Sequence, residues 1–322
     1  MIYIKGGSDE IVLLDADTLG RDTDLGAFAS LGEFISYKTT SQNEVKGRIK
    51  DADIIITNKV CLGKNELENS KVGLIALTAT GMNNIDLEFC AKSGIVVKNV
   101  ANYSTNSVAQ QCFASLLALL NHTSYYDSYC KDINGWANSE VFVHLQAKIY
   151  ELANKSFCVV GFGDIGRAVA KIASAFNCNV CYYSTSGKNN NNEYKRVNFD
   201  DVLKCNIISI HAPLNEKTQN LFNKNAIQKL QNGTILANFG RGAIVDENAL
   251  AREIDEREIY YCCDVLSTEP MPKNHPFLSL KHKECLLLSP HIAWASVEAR
   301  KTLMGLVYEN IKNFLKEKNN ES

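Results

Sequence analysis

Nine short apolar runs set the strongest limit on what this chain can fold into. They fall at residues 11–14, 54–57, 74–77, 157–160, 180–183, 207–210, 234–237, 260–263 and 286–288. Between them lie longer segments with apolar residues at helical spacing, among them 107–120, 166–176 and 247–253. A strand that is apolar almost throughout is buried on both faces, and helices alternating with such strands supply the cover. The expected class is therefore α/β, with parallel, doubly wound sheets. No repeat of solenoid period interrupts the alternation.

At 322 residues and 45% hydrophobic composition the chain can fill two cores and is long for one domain. The alternation is strongest from about 155 to 290, after a wetter stretch, "SYYDSYCKDINGWANSE", that reads as a connection. This predicts a cofactor-type domain inserted into a second α/β domain. We set the insert at 101–291 and the outer domain, which takes the substrate, at 1–100 and 292–322. The asparagine run at 189–192 reads as a solvated loop.

Composition removes several classes. Lys plus Arg is 34 against 36 for Asp plus Glu, a net charge of −2, without the basic excess of a nucleic-acid binder. The apolar run at 116–120 is far short of the ~20 residues needed to cross a bilayer. Acids at Asp9 and Glu10 stand where a signal peptide would stay apolar. A soluble cytoplasmic protein, with neither membrane nor nucleic acid as partner, is expected. The eleven cysteines are odd in number and scattered through strand-like runs, as free buried thiols are. Cys178 and Cys181 do spell a C-x-x-C pair, a pattern used in redox sites. In a strand, however, residues three apart point to opposite faces, and no second Cys/His pair completes a zinc set. No metal is expected.

The stretch "FCVVGFGDIGRAVAKIA" places Gly161, Gly163 and Gly166 in G-x-G-x-x-G spacing, after an apolar strand and at the start of an amphipathic helix. That context makes the pattern specific for a dinucleotide. Gly161 allows the tight turn, Gly163 lets backbone approach a diphosphate, and Gly166 lets helix pack on strand. Asp164 and Ile165, in the first helical turn, lie at the end where the diphosphate binds. About 20 residues on, an acid usually holds the adenosine ribose. Here the strand "NVCYY" runs into "STSGK", with Ser184 at that place. Ser184, Thr185, Ser186 and Lys188 suit a 2′-phosphate, while the hydroxyls alone would also bind plain ribose. The cofactor is NAD or NADP, with a lean to NADP.

In "NFGRGAIVD" Arg241 sits between Gly240 and Gly242 just after an apolar strand. Asp264 follows the run "YYCC", with Glu269 in the "DVLSTEP" that continues it, and His291 follows "CLLLSP". Three successive strands thus end in chemically capable residues. In open α/β sheets ligands bind outside the carboxyl ends of the strands, so these groups can converge. An arginine fork binds a carboxylate or polarises a carbonyl. A histidine beside a carboxylate can hold and deliver a proton. His211, in "IISIHAPLNEKT", also ends a strand, either lining the cofactor groove or serving as a structural turn residue.

With these motifs in view the chain resembles the D-isomer-specific 2-hydroxyacid dehydrogenase family over nearly its whole length. "HAPLNEKT", "NFGRGAIVDENAL", "DVLSTEP" and "SPHIAWAS" carry the likeness beside the glycine fingerprint. "TNKVCL", "TATGMNNID", "NVANYSTNSVAQ" and Trp294 are similar to its glycerate dehydrogenase, or hydroxypyruvate reductase, branch. The resemblance implies a Rossmann cofactor domain inserted into a flavodoxin-like substrate domain, a cleft between them, and a homodimer. It implies NAD(P)H-dependent reduction of a small 2-keto acid, hydroxypyruvate or glyoxylate, to the D-2-hydroxy acid, and the reverse. Arg241 becomes the substrate clamp, His291 the acid/base and Glu269 its partner. Lys59, Val60 and Gly81 surround the substrate carboxylate, and Asp264 meets the nicotinamide amide. His211, Ala212, Pro213, Phe239, Gly240 and Ala293 fall along the cofactor. The apolar run "CFASLLALL" and the "SYYDSY" after it are expected to mate with their copies across a two-fold axis. Two positions depart from the family pattern: the ribose acid is missing, and a helix motif usually reading V-A-E is here Val108, Ala109 and Gln110. Other readings are a D-lactate-type dehydrogenase of another 2-keto acid and a corepressor-like NAD(H)-sensing protein. No peptide- or DNA-binding extension supports the latter. Phosphoglycerate dehydrogenases usually carry a further C-terminal domain, whereas this sequence ends in one charged helix.

Overall fold

The computed structural model describes residues 2–4 and 9–320. Met1, residues 5–8 and 321–322, which the expected outer domain includes, lie outside the described residues. The chain divides into two compact units, Met1–Ser104 with Ala295–Ser322, and Thr105–Trp294. Among the described residues no helix is long and apolar enough to cross a membrane.

The first unit holds β1 (Ile2–Ile4), β2 (Glu10–Leu13), β3 (Glu33–Ser36), β4 (Ile54–Thr57), β5 (Leu74–Leu77) and β6 (Val96–Lys98). They form one sheet in the order β1-β3-β2-β4-β5-β6. All neighbours are parallel except β1, which runs antiparallel on the edge against β3. The five parallel strands have the flavodoxin-like order, whose switch point lies between β2 and β4. Every residue of β4 and β5 is buried, which is why these strands are so uniformly apolar. The terminal helix Val297–Asn320 returns to this unit and buries Ala299, Leu303, Val307, Ile311 and Leu315. Their four-residue spacing places them on one helical face. Arg300 fixes the start of that helix by a bidentate pair with Asp22, at 2.6 and 2.7 Å.

The second unit holds β7 (Ser156–Val160), β8 (Asn179–Tyr183), β9 (Lys195–Arg196), β10 (Ile207–Ile210), β11 (Ile235–Asn238), β12 (Tyr260–Cys263) and β13 (Leu286–Leu288). Its sheet is parallel throughout, in the order β13-β12-β11-β10-β7-β8-β9. This is the Rossmann order, reversing between β7 and β10. Alternation along the strands feeds two cores. Phe157 and Val159 pack on one face with Val169, Ala173 and Leu116, while Cys158 and Val160 pack on the other with Phe222, Leu250 and Tyr261.

All nine apolar runs are strands, within a residue at either end. Strands β1, β3, β6 and β9 were not anticipated. β3 reads EFIS, β6 is only VVK, and β9 is the exposed pair Lys195–Arg196, so none shows an apolar run. The presumed connection at 124–140 also proves partly helical, over Thr123–Lys131. One expectation needs correction. The run at 112–120 does not present an apolar surface: Cys112, Phe113, Leu116, Leu119 and Leu120 are buried in their own unit, because the helix Thr105–Asn121 packs on the sheet. The exposed apolar side chains lie downstream, led by Ile133, Phe142 and Leu145 at 81, 85 and 79% exposure.

Candidate active site

The order reversal in the second unit builds a groove of about 750 Å³, lined by Gly161, Phe162, Gly163, Thr185, Ser186, Lys188, Asn189, His211, Pro213, Asn215, Glu216 and Lys217. Gly161 has φ +91°, and a Cβ there would stand 2.7 Å from the Ala212 backbone. Both conditions demand glycine. Gly166 abuts the Gly161 carbonyl, where a Cβ would come within 2.2 Å, so the helix Asp164–Ala175 lies directly on the turn. At Gly163, by contrast, a Cβ would meet nothing within 4 Å. That open approach, at a helix N-terminus with free N–H groups, fits a diphosphate. Asp164 pairs with the Arg167 guanidinium, one turn on.

Ser184 is buried, and its hydroxyl accepts the Asn189 N–H at 3.3 Å. It therefore does not line the groove as its position predicts, and Thr185, Ser186 and exposed Lys188 do. Ala212, Phe239 and Ala293 are buried in the cores of the unit. The His211 Nε2 sits 2.7 Å from the Ser209 hydroxyl, and its Nδ1 is a buried nitrogen with no partner among the described residues. Burial pushes the ring's pKa down from the ordinary 6.5 to about 3, so it stays neutral at physiological pH. Gln110 is exposed on its helix, while Val108 and Ala109 face the core.

The glycines beside Arg241 are explained by close approach. A Cβ on Gly240 would lie 2.7 Å from the Ala212 carbonyl, and one on Gly242 only 1.8 Å from the Leu266 backbone. Buried Asn238 stitches the turn, accepting the Gly240 N–H at 3.1 Å and donating to the Arg241 carbonyl at 3.0 Å. Arg241 itself is extended and exposed, with one guanidinium nitrogen donating to the Gly240 carbonyl at 2.8 Å. Its remaining donors can meet a ligand.

His291 and Glu269 come together although 22 residues apart, with Nδ1 2.7 Å from the carboxylate. Both side chains are partly exposed, so the pair opens to solvent. The other Glu269 oxygen accepts the Leu266 N–H at 3.0 Å, which orients the carboxylate. With Nδ1 committed, Nε2 is the ring nitrogen left for a substrate. His291 also holds φ +55°, a conformation that costs energy for a side-chain-bearing residue and is tolerated only where neighbours enforce it.

Asp264 is such a neighbour. Its carbonyl accepts the His291 N–H at 2.8 Å, and its buried carboxylate accepts the Ser289 hydroxyl and the Ile292 and Ala293 N–H groups. The structure thus occupies this carboxylate with the loop that carries His291. Glu247, Ser267 and His275 have a comparable part that the sequence did not disclose. The buried Glu247 carboxylate accepts the Ser267 N–H at 2.7 Å and hydroxyl at 2.5 Å, and pairs with His275 Nε2 at 3.1 Å. This braces the segment between Asp264 and Glu269.

In the first unit, loops following β4 and β5 lie side by side, zipped by Leu62 N–H to Asn84 O and Asp86 N–H to Leu62 O. They carry Lys59, Val60 and Gly81. Buried Asp15, at the switch point, accepts the Asn58 and Lys59 N–H groups, the latter at 2.8 Å. Its burial raises its pKa, while the main-chain donors oppose the rise. Asp15 was not singled out from sequence, since nothing local distinguishes it from a surface turn acid.

The family model of the D-isomer specific 2-hydroxyacid dehydrogenase NAD-binding domain matches residues 113–293. A hydroxypyruvate reductase of Blautia hydrogenotrophica is 33% identical over 95% of this chain and 97% of its own. A glyoxylate reductase of Thermococcus litoralis is 35% identical over 84% of this chain and 82% of its own. Among solved structures, an acyclic imino acid reductase in complex with NADPH and D-Arg superposes with TM-score 0.83 at 25% identity, covering 96% of this chain and 97% of that one. The glycine turn at a sheet reversal, the strand-end arginine and these matches lead to one assignment: the chain belongs to the D-isomer-specific 2-hydroxyacid dehydrogenase family and is a nicotinamide-dependent oxidoreductase of small 2-keto and 2-hydroxy acids.

Proposed function

We propose that the chain reduces hydroxypyruvate or glyoxylate to the D-2-hydroxy acid, with Arg241, Glu269 and His291 as its reacting groups. The observation that carries this reading is the His291–Glu269 contact of 2.7 Å at the strand ends that follow the Arg241 turn. Relatives named hydroxypyruvate reductase, glycerate dehydrogenase and glyoxylate reductase support the substrate class. A bound nicotinamide supplies hydride to the carbonyl carbon. Glu269 holds the imidazole by Nδ1 at 2.7 Å, which leaves Nε2 to deliver a proton to the keto oxygen. The Arg241 fork binds the carboxylate and draws charge from the carbonyl. Lys59, Val60 and Gly81 are our candidates for further carboxylate contacts, and the groove from Gly161 to Lys217 for the cofactor. Free thiols throughout are what a reducing compartment such as the cytoplasm preserves.

Two extensions follow from particular side chains. Thr185, Ser186 and Lys188 in the groove favour a 2′-phosphate, hence a modest preference for NADPH. The exposed Ile133, Phe142 and Leu145 form apolar surface suited to a second copy of the chain, hence a homodimer.

Replacing His291 or Arg241 removes transition-state stabilisation. His291→Ala and Arg241→Ala should each lower kcat/KM with hydroxypyruvate by roughly 100-fold or more. A His291→Ala enzyme of nearly normal turnover would overturn the assignment. Lys188→Ala should lower kcat/KM for NADPH about five-fold, the scale of an exposed ion pair, and leave NADH unchanged. Equal effects on both cofactors would remove Lys188 from the phosphate. Sedimentation at micromolar concentration should give twice the 35.7 kDa chain mass, and a monomer would refute the dimer.

His211 makes a separate prediction for the cofactor-free protein. Its folded pKa is depressed, so its contribution to stability is fully present above about 6.5 and lost as pH falls toward about 3. The loss is at most about 1.4 kcal/mol per pH unit. Urea midpoints from pH 7 to 4 should therefore fall less steeply in His211→Gln than in wild type. Parallel slopes would show that the ring is protonated in place.

A further inference from the structure

Three thiols that the reaction does not use meet on one face of the seven-stranded sheet. Cys158 is the middle residue of β7, and Cys181 is its register partner in β8. Cys205 lies just before β10, the other neighbour of β7. The three sulfur atoms all lie within 4.8 Å of one another, and those of Cys181 and Cys205 are 3.9 Å apart. Cys158 and Cys205 are buried, while Cys181 is half-buried beside the edge strand β9. The C-x-x-C partner, Cys178, takes no part, because its thiol donates to the Leu152 carbonyl and packs with the opposite core.

A single buried cysteine is an ordinary small hydrophobe, but three convergent sulfurs are a donor set. We propose that Cys158, Cys181 and Cys205 form a binding site for a soft, thiophilic cation of the Cu(I) class, held by three sulfurs. A metal–sulfur bond of about 2.3 Å places three sulfurs of a planar trigonal site about 4.0 Å apart. The Cys181–Cys205 separation of 3.9 Å is already there, and the other two, within 4.8 Å, reach it by moving less than about 1 Å. Tetrahedral zinc would need a fourth ligand, and among the described residues no further His, Cys, Asp or Glu joins the group. Sulfur softness selects Cu(I) over harder ions. Lys195, the register partner of Cys181, offsets negative charge at the open side. Binding exchanges S–H protons for the cation, releasing them to solvent, with no change of oxidation state. Cys158 and Cys181 lie in the middle of their strands and Cys205 before the amino end of β10, whereas Gly161 and the cofactor groove lie beyond the carboxyl ends, so the site is separate from the reacting groups.

The test is an anaerobic titration of the intact protein with Cu(I) against bicinchoninate, in a Cys61→Ser/Cys130→Ser background that removes the two exposed thiols. One Cu(I) per chain is expected, with X-ray absorption showing three sulfurs at about 2.3 Å. Cys181→Ser and Cys205→Ala should each weaken binding by at least about 100-fold, the upper end of what loss of a mere outer-shell partner costs, and Cys285→Ala should not. Because Cys181 is only half-buried and serine is nearly its size, Cys181→Ser carries the test should Cys205→Ala fail to fold. No stoichiometric binding, or equal binding by Cys181→Ser and Cys285→Ala, would overturn the site.

Discussion

The chemistry of the second unit depends on how closely main chain passes main chain at the carboxyl edge of its sheet. Gly242 lies against the Leu266 backbone so tightly that a single Cβ would come within 1.8 Å of it, and Gly161 lies against Ala212 at 2.7 Å. Van der Waals contact between backbones leaves no slack for the loops to slide. The turn that presents Arg241 is thereby locked to the segment that presents Glu269. A side chain at either glycine would separate the groups before it altered any of them. The arginine between two glycines is thus a donor fork mounted on the tightest crossing in the unit.

Buried carboxylates complete what the glycines begin. Asp15 and Asp264 each accept two main-chain N–H groups, and Glu247 one, from a loop that carries, or braces, a candidate site residue. An ionised carboxylate accepting several backbone donors makes strong, oriented bonds, and removing it would strand those donors without water. The same device recurs in both units, at the switch point of the first sheet for Asp15 and just after β12 in the second for Asp264. His291, held at positive φ by Asp264, shows what the device achieves: the side chain is aimed by a backbone conformation it would not adopt alone.

Much of this was legible in the sequence, for physical reasons that can be named. A strand buried on both faces must be apolar, so β4, β5, β10 and β11 announced themselves, and so did His211, Arg241, Asp264 and His291, which follow β10, β11, β12 and β13. β9 and β6 did not, because edge strands need neither length nor an apolar run. Glu247 was illegible as a loop anchor since an acid after Asp246 reads as an ordinary first-turn residue. Ser184 was placed by counting along the chain, which cannot tell that its hydroxyl turns inward to Asn189. The thiol trio needed the strand order: nothing in the spacing of 158, 181 and 205 says that β8 and β10 flank β7.

Everything in the reaction depends on which side chains hold the keto group. A crystal structure with the oxidised cofactor and oxamate, an unreactive analogue of a 2-keto acid, would show it. The account predicts His291 Nε2 within hydrogen-bond distance of the analogue's keto-position oxygen and the Arg241 guanidinium on the same molecule, with Glu269 still on Nδ1. An analogue bound through His211, with His291 and Arg241 both turned to solvent, would contradict it.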